Sequence, residues 1–140
     1  MARYVTDFPD NTITAAKNVV AIPHLGASTP ESEENCAVMA AQELRDYLEN
    51  GNISNSVNLP NLAMRRSGEC RICVIHKNVP TILSSIVNLV SDLEINVENL
   101  INKSKKDLAY TMIDINQSVG ENMVAAIQRM EPTIRVRVLH

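Results

Sequence analysis

The stretch Cys70-Arg-Ile-Cys-Val-Ile-His-Lys-Asn-Val-Pro80 decides how the second half of the chain folds. Its apolar residues predict a strand over 71–76. Pro80 suits the first turn of a helix, because the N–H that it lacks has no helical partner there. Apolar residues then recur at three- and four-residue spacing up to residue 93, which predicts an amphipathic helix. The stretch is therefore a strand, a short polar loop and a helix.

Strand and helix patterns continue to alternate up to the end of the chain. Apolar and polar residues alternate over 95–101, 109–115 and 133–139, which predicts three more strands. In the first of them, Val97 and Ile101 are expected on one face and Leu100 on the other. A second helix is predicted over 120–130. The order β-α-β-β-α-β is the ferredoxin-like arrangement, an antiparallel sheet with two helices on one face.

The first part of the chain, up to about residue 62, has a different pattern of apolar residues. A short strand is expected near residues 4–8, and the apolar run over 18–23 predicts a buried, parallel strand. A helix over 30–50 is expected to begin at the cap Thr29 and to end at Gly51. This pattern is a partial α/β fragment of Rossmann type.

We therefore predict an α+β chain in two parts. Residues 1–62 form the α/β fragment and residues 69–140 the ferredoxin-like domain. Between them, residues 63–68 contain Arg65, Arg66 and Gly68 and are predicted to be a linker.

Composition argues against several classes of protein. The 140 residues are 45% hydrophobic and 21% charged, which is typical of a globular chain. With neither a signal peptide nor an apolar run of membrane-spanning length, we expect a cytoplasmic protein without a membrane partner. The net charge of −3 argues against nucleic acid. The spacing of Cys70 and Cys73 along a strand places them on opposite faces, so no metal site is expected.

His24 stands between the apolar run and the helix, in Pro23-His-Leu-Gly-Ala-Ser-Thr29. Ligands of open α/β sheets bind at the carboxyl ends of the strands. Gly26 permits a close backbone approach, and the helix N-terminus favours anions. A histidine here is either a general acid/base or a loop residue that caps or packs. Spacing alone favours the second reading.

A second candidate is His76-Lys-Asn-Val-Pro80, together with Asn96 at the start of the next strand. Asn78 and Asn96 each offer a donor and an acceptor, and the helix after Pro80 has free N–H groups for a carboxylate. These groups suit a small amino acid. In the alternative, Asn78 caps the helix and His76 is a surface residue, and spacing alone favours this alternative.

Ile22-Pro-His-Leu-Gly-Ala-Ser-Thr-Pro-Glu-Ser32, with Glu34-Asn-Cys-Ala37 and Asn58-Leu-Pro60, closely resembles the D-2-hydroxyacid dehydrogenases, above all their phosphoglycerate dehydrogenase branch. The resemblance covers residues 1–62. It implies that His24 is the catalytic acid/base, which exchanges a proton with substrate while a hydride moves to or from NAD.

The same resemblance implies that the cofactor-binding residues His24, Leu25, Gly26 and Ala27 lie along the nicotinamide. The family pairs its histidine with a glutamate. Here only Asp7 or Asp10 is available, and the sequence does not choose between them.

Residues 70–140 resemble the ACT domains that regulate these dehydrogenases. The family's serine-binding pattern matches His76, Asn78 and Asn96. The resemblance implies a homo-oligomer in which two domains pair edge to edge and hold L-serine, or a similar amino acid, between them. The glycine that usually follows Pro80 is Thr81 here, whose side chain would narrow or obstruct the pocket.

One departure bears on activity. The sequence has no Gly-x-Gly-x-x-Gly, so no cofactor is expected for this chain alone, and NAD belongs to the parent enzyme. Three functions stay open: a C-terminal regulatory fragment of a phosphoglycerate dehydrogenase, one part of a split dehydrogenase whose body is another chain, and a free-standing ACT interaction module. Whether the chain is an enzyme also stays open.

Overall fold

The computed structural model describes residues 2–140. Contacts divide the chain into two compact units, and the division falls between Gln42 and Glu43, within a helix. Among the described residues, no helix is both long and apolar enough to cross a membrane.

The first unit is built on two short parallel strands. Its elements are β1 (Tyr4–Thr6), α1 (Asn11–Thr14), β2 (Val19–Ala21) and the first half of α2 (Pro30–Asn50). The strand predicted over 18–23 is parallel as expected, and the structure pairs it with β1, with Tyr4 opposite Val19. The predicted burial is wrong: Val20 is 38% exposed and Ile22 47% exposed. Two paired strands of three residues each cannot enclose a core.

Helix α2 begins and ends at the predicted residues. The Thr29 hydroxyl accepts a hydrogen bond from the Ser32 N–H at 3.2 Å, as an N-cap does. Gly51 has φ of +76°, the left-handed conformation that commonly ends helices. The Gly51 N–H donates to the Tyr47 carbonyl at 3.0 Å. A side chain at Gly51 would collide with the Cys73 sulfur, 2.6 Å from the position of a Cβ.

The second unit carries the ferredoxin-like fold. Its elements are β3 (Cys70–Lys77), α3 (Ile82–Asp92), β4 (Val97–Lys105), β5 (Leu108–Ile115), α4 (Glu121–Arg129) and β6 (Thr133–Leu139). The four strands form one sheet in the order β4-β5-β3-β6, and every neighbouring pair is antiparallel. The predicted α+β fold is confirmed.

Both faces of this sheet are covered. On one face the helices contribute Ile86, Val90 and Ile127 to a core that includes Cys70 and Ile72. The opposite face is covered by the chain that follows α2: Ile53, Leu62 and Met64 pack against Cys73, Tyr110 and Met112. Cys70 and Cys73 thus lie on opposite faces, as their spacing predicts.

The segment predicted as a linker, 63–68, is held against the sheet. Met64 is buried, and the Ser67 N–H and hydroxyl donate to Asp114 at 2.8 and 3.1 Å. A Cβ on Gly68 would lie 2.3 Å from the Ile115 carbonyl oxygen. Residues 51–68 therefore pack as part of the second unit.

The alternation predicted for β4 is wrong at one point. The register against β5 shifts between Val97 and Asn99. Such a bulge adds one residue and reverses the faces that follow it. Val97 and Leu100 consequently share the helix-facing core, whereas Ile101 packs on the opposite face.

Candidate functional site

His24 and Asp7 form a pair at one edge of the small parallel sheet. Asp7 follows β1 and His24 follows β2, and parallel strands bring their carboxyl ends to the same edge. The His24 Nδ1 lies 2.9 Å from Asp7 Oδ2, with the two side chains 55% and 43% exposed. The Phe8 ring packs on the imidazole, with centroids 4.3 Å apart. With Nδ1–H donating to the carboxylate, Nε2 is the nitrogen available for proton exchange.

Asp10 has a different task. Its carboxylate accepts a hydrogen bond from the Ile13 N–H at 2.7 Å and caps α1. Of the two aspartates that the sequence leaves open, Asp7 is therefore the one that orients His24.

The predicted cofactor-binding residues form an exposed turn before α2. The Ser28 N–H donates to the Leu25 carbonyl at 3.1 Å. Apart from Gly26 itself and its two neighbours in the chain, no residue has an atom within 4 Å of where a Cβ on Gly26 would stand. The backbone from His24 to Ala27 is thus open to close approach. A role in binding NAD remains a prediction.

Asn78 lies beside the turn between β4 and β5. Its backbone N–H donates to the Asp107 carbonyl at 2.8 Å, and its side-chain amide donates to the Lys106 carbonyl at 3.2 Å. The alternative in which Asn78 caps α3 is wrong, because the N-cap residue is Thr81. The Asn78 side chain is exposed.

Thr81 adopts a conformation that suits glycine. Its φ is +75° and its side chain makes no capping hydrogen bond. A β-branched residue is strained in this left-handed region. Its carbonyl accepts from the Ser84 hydroxyl at 2.8 Å and from the Ser85 N–H at 2.9 Å. The first turn of α3 therefore holds Thr81 in place.

His76 is not a surface residue. It is only 1% exposed. Its Nε2 lies 2.8 Å from the Thr111 hydroxyl and its Nδ1 lies 2.9 Å from the Lys77 carbonyl. Both ring nitrogens have protein partners, so the ring supports the loop that follows it. The sequence pattern does not single out Thr111 as a partner of His76, although a threonine on the same strand face as Ile113 and Ile115 is a usable signal.

Asn96 lies at the other end of the sheet. Its side-chain amide donates to Glu98 Oε1 at 2.9 Å. β5 pairs with Lys77 through Leu108 and with Val97 through Ile115. The eight residues of β5 separate the two ends by roughly 23 Å at a rise of about 3.3 Å each. One chain therefore brings His76 together with Asn78 but not with Asn96.

A buried ion pair that the sequence pattern did not reveal anchors the opposite face. Arg71 Nε lies 2.6 Å from Asp114 Oδ1, and Nη2 lies 2.7 Å from Oδ2. Burial by itself raises the pKa of Asp114. Hydrogen bonds from Arg71 and Ser67 outweigh that effect and hold the pKa below its ordinary value.

The last turn of α2 is bound by side chains of the sheet. Arg71 Nη1 donates to the Asn50 carbonyl at 2.7 Å, the Tyr110 hydroxyl to the Gly51 carbonyl at 2.7 Å, and Arg137 Nη2 to the Leu48 carbonyl at 2.6 Å. Helices leave their final carbonyls without internal partners. Strands β3, β5 and β6 thus each supply a cap.

The two buried cysteines are poorly suited to redox or metal chemistry. Burial raises the pKa of Cys70 and of Cys73, which keeps both thiols protonated. Residues 2–140 contain no group of three or more His, Cys, Asp or Glu side chains placed to hold a metal ion.

The class that these features define is a parallel strand–helix fragment with a histidine–aspartate pair, followed by a ferredoxin-like domain. The resemblance to D-3-phosphoglycerate dehydrogenases is confirmed by comparison with known proteins. The enzyme of Escherichia coli (strain K12) is 30% identical over 125 residues, which are 88% of this chain and 30% of that enzyme. D-3-phosphoglycerate dehydrogenase 2 of Saccharomyces cerevisiae is 28% identical over 136 residues, 91% of this chain and 29% of the relative. The chain therefore spans less than a third of these curated relatives.

Two solved structures resemble about half of the chain less closely. The ACT domain of GTP pyrophosphokinase from Chlorobium tepidum has a TM-score of 0.45 and 11% identity, covering 50% of this chain and 95% of that one. The regulatory subunit of aspartate kinase from Thermus thermophilus has a TM-score of 0.43 and 12% identity, covering 52% and 51%. No protein-family model matches the chain.

Proposed function

We propose that this chain is the C-terminal regulatory part of an NAD-dependent D-3-phosphoglycerate dehydrogenase and binds L-serine, or a similar small amino acid, between two copies of its ferredoxin-like domain. The observation that carries the proposal is the placement of Asn78 and Asn96. Both are exposed and stand at opposite ends of one sheet.

A dimer with a two-fold axis would bring Asn78 of one copy close to Asn96 of the other. Strand β4 is an edge of the sheet, and two copies of β4 related by a two-fold axis run antiparallel. The end of one sheet that carries Asn78 then adjoins the end of the other that carries Asn96. Each dimer has two equivalent pockets, and each pocket is formed by Asn78 of one copy and Asn96 of the other.

The chemistry of this pocket suits an amino acid zwitterion. The N-terminus of α3, an 11-residue helix that begins at Ile82, attracts the carboxylate. Glu98, which Asn96 contacts, attracts the ammonium group. The two asparagine amides hydrogen-bond to the polar groups of the amino acid that these contacts leave free.

In the parent enzyme such binding regulates activity through a shift in populations. An effector that binds one arrangement of the paired domains more tightly than another favours that arrangement. The coupling free energy between the effector site and the catalytic site is set by the difference in the effector's affinity for the two arrangements.

Calorimetric titration of the purified chain with L-serine tests the proposal, with glycine and NADH as comparison ligands. We expect saturable serine binding that disappears in Asn78→Ala and in Asn96→Ala. Asn122→Ala is the matched control, since this exposed asparagine lies on α4, which packs beside β6 at the far edge of the sheet. A folded chain that binds neither serine nor any other small amino acid would contradict the proposal.

The His24–Asp7 pair favours a second function. In this alternative, the first unit completes a dehydrogenase whose nucleotide-binding body is a separate chain. Asp7 orients the imidazole, and Nε2 exchanges a proton with the hydroxyl or carbonyl of the substrate. NAD would supply the hydride chemistry.

Mixing tests this alternative. The Escherichia coli enzyme, truncated to remove the part that matches this chain, would be combined with this chain and assayed for NADH oxidation. Activity that appears only on mixing and vanishes with His24→Gln would support the alternative. Activity that survives His24→Gln would exclude it.

A further inference from the structure

Three polar side chains form a continuous hydrogen-bonded row across the helix-facing side of the sheet. His76 on β3 contacts Thr111 on β5 at 2.8 Å, and Thr111 contacts Asn102 on β4 at 2.9 Å. Thr111 is fully buried and His76 nearly so, whereas Asn102 is exposed at the edge of the sheet. Buried polar groups of this kind cost stability unless each has a partner.

The register explains why these three side chains meet. Asn102 pairs directly with Thr111, so the two side chains stand opposite each other. His76 pairs with Ala109, two residues before Thr111. Diagonal neighbours at that offset are within reach of a long side chain.

Donors and acceptors fix the protonation pattern of the row. The Lys77 carbonyl only accepts, so the ring nitrogen Nδ1 that faces it carries a proton. A neutral imidazole then accepts at Nε2 from the single hydroxyl proton of Thr111. The structure places Asn102 Oδ1 2.9 Å from the Thr111 hydroxyl, as the acceptor of its proton. The protonation pattern inferred here requires the amide to be rotated by half a turn, which exchanges its oxygen and nitrogen and lets the Asn102 N–H donate to the Thr111 oxygen.

Without that rotation, the Thr111 proton goes to Asn102 Oδ1, and this arrangement is unfavourable for His76. If Thr111 donated to Asn102, then Nε2 of His76 would need a proton of its own. The result is a buried imidazolium, and among residues 2–140 no carboxylate lies within hydrogen-bonding distance of this ring. Such an unpaired buried charge is costly.

We propose that Thr111 and Asn102 are positioning residues of the effector site. The Thr111 hydroxyl donates to Nε2 and so reinforces the Nδ1–H tautomer that the Lys77 carbonyl favours, and His76 in turn holds that carbonyl at the start of the segment that presents Asn78. Because Asn102 lies on the edge strand β4, the row also joins the proposed contact between copies to the effector loop. The link to amino-acid binding rests on the proposed function, whereas the tautomer does not.

Thr111→Val removes the hydroxyl with little change in volume. We expect ¹⁵N NMR to show a pure Nδ1–H tautomer of His76 in the wild-type chain and a mixture of tautomers in the variant. The backbone amide signal of Asn78 should shift, and affinity for L-serine should fall on the order of tenfold, the loss typical of one hydrogen bond. Thr111→Ser should restore all three.

Thr133→Val is the matched control. Thr133 pairs with His76 from the other side, and its hydroxyl has no hydrogen-bond partner among the described residues. We expect it to leave the tautomer and the Asn78 signal unchanged.

The outcomes separate the two proposals. If His76 keeps its wild-type tautomer in Thr111→Val, the hydrogen-bonded row does not position His76, and the proposal is wrong. The proposal is also wrong if the tautomer changes while the Asn78 amide signal stays where it is. If the wild-type chain does not bind serine, the proposed function fails, while the two NMR readouts still decide the role of Thr111.

Discussion

Asn78 and Asn96 lie at opposite ends of the same four-stranded sheet, because β5 pairs with the end of β3 through Leu108 and with the start of β4 through Ile115. Two residues that far apart cannot hold one small ligand. In the proposed dimer, a two-fold axis would place Asn78 of one copy beside Asn96 of the other. The proposed amino-acid site therefore depends on dimerisation.

Replacing Thr81 by glycine should stabilise the second unit. Thr81 has φ of +75°, and relieving that strain gains roughly 1–2 kcal/mol. Glycine also increases the conformational entropy of the unfolded chain, which offsets part of this gain. We therefore expect a net increase of about 1 kcal/mol in the free energy of unfolding. Urea denaturation measures it.

Ser85→Gly is the control for this substitution. Ser85 lies within α3, where glycine lowers stability by about 0.5–1 kcal/mol. If Thr81→Gly lowered stability as Ser85→Gly does, strain at Thr81 would be excluded.

Arg71→Leu should destabilise the second unit by about 3–5 kcal/mol. The change leaves the buried Asp114 carboxylate unpaired and removes the donor to the Asn50 carbonyl. Arg45→Ala provides the comparison, since the Arg45–Glu49 pair is exposed and 3.7 Å long; we expect less than about 0.5 kcal/mol there. Similar losses in both variants would show that the buried pair contributes little.

Acid should unfold the second unit partly through Asp114. Its pKa is lowered in the folded state from an ordinary 3.8, so the folded state binds the proton more weakly than the unfolded state. The stability that this carboxylate contributes is complete above the unfolded pKa and is lost as pH falls below about 4 through the folded pKa. Denaturation measured from pH 6 to pH 2 should show a shallower acid decline in Asp114→Asn. An unchanged slope would contradict this assignment.

Much of this architecture was predictable from the sequence, because apolar periodicity reports which residues face a core. The helix-facing residues Ile72, Val74 and Ile113 follow from it. The bulge at Val97–Asn99 does not, since an extra residue leaves no mark in composition. The choice of Asp7 over Asp10 also required the structure, because it depends on where two strands end.

The same limit applies to the polar interior. Arg71 and Asp114 sit in apolar strands 43 residues apart, and nothing local in the sequence pairs them. Thr81 is the converse case: the resemblance marks that position as glycine, and the positive φ supplies the physical reason.

Tyr110→Phe should loosen the end of α2. The Tyr110 hydroxyl donates to the Gly51 carbonyl at 2.7 Å, and its loss leaves that carbonyl without this donor at a cost of about 1–2 kcal/mol. Hydrogen exchange of the amides over 47–51 should accelerate. Tyr47→Phe, which keeps the ring that lies under Arg137, should leave that exchange unchanged; equal acceleration in both variants would refute the capping role of Tyr110.

The most direct test of the shared site mixes two variants that should each fail to bind. Asn78→Ala and Asn96→Ala chains, each folded, are expected to show no heat with L-serine on their own. After the two are unfolded together and refolded, each mixed dimer should regain one intact pocket, with Asn78 from one copy and Asn96 from the other. Recovery of serine binding on mixing is the predicted result, and a mixed sample that stays silent, although the wild-type chain binds serine, would contradict a site shared between two copies.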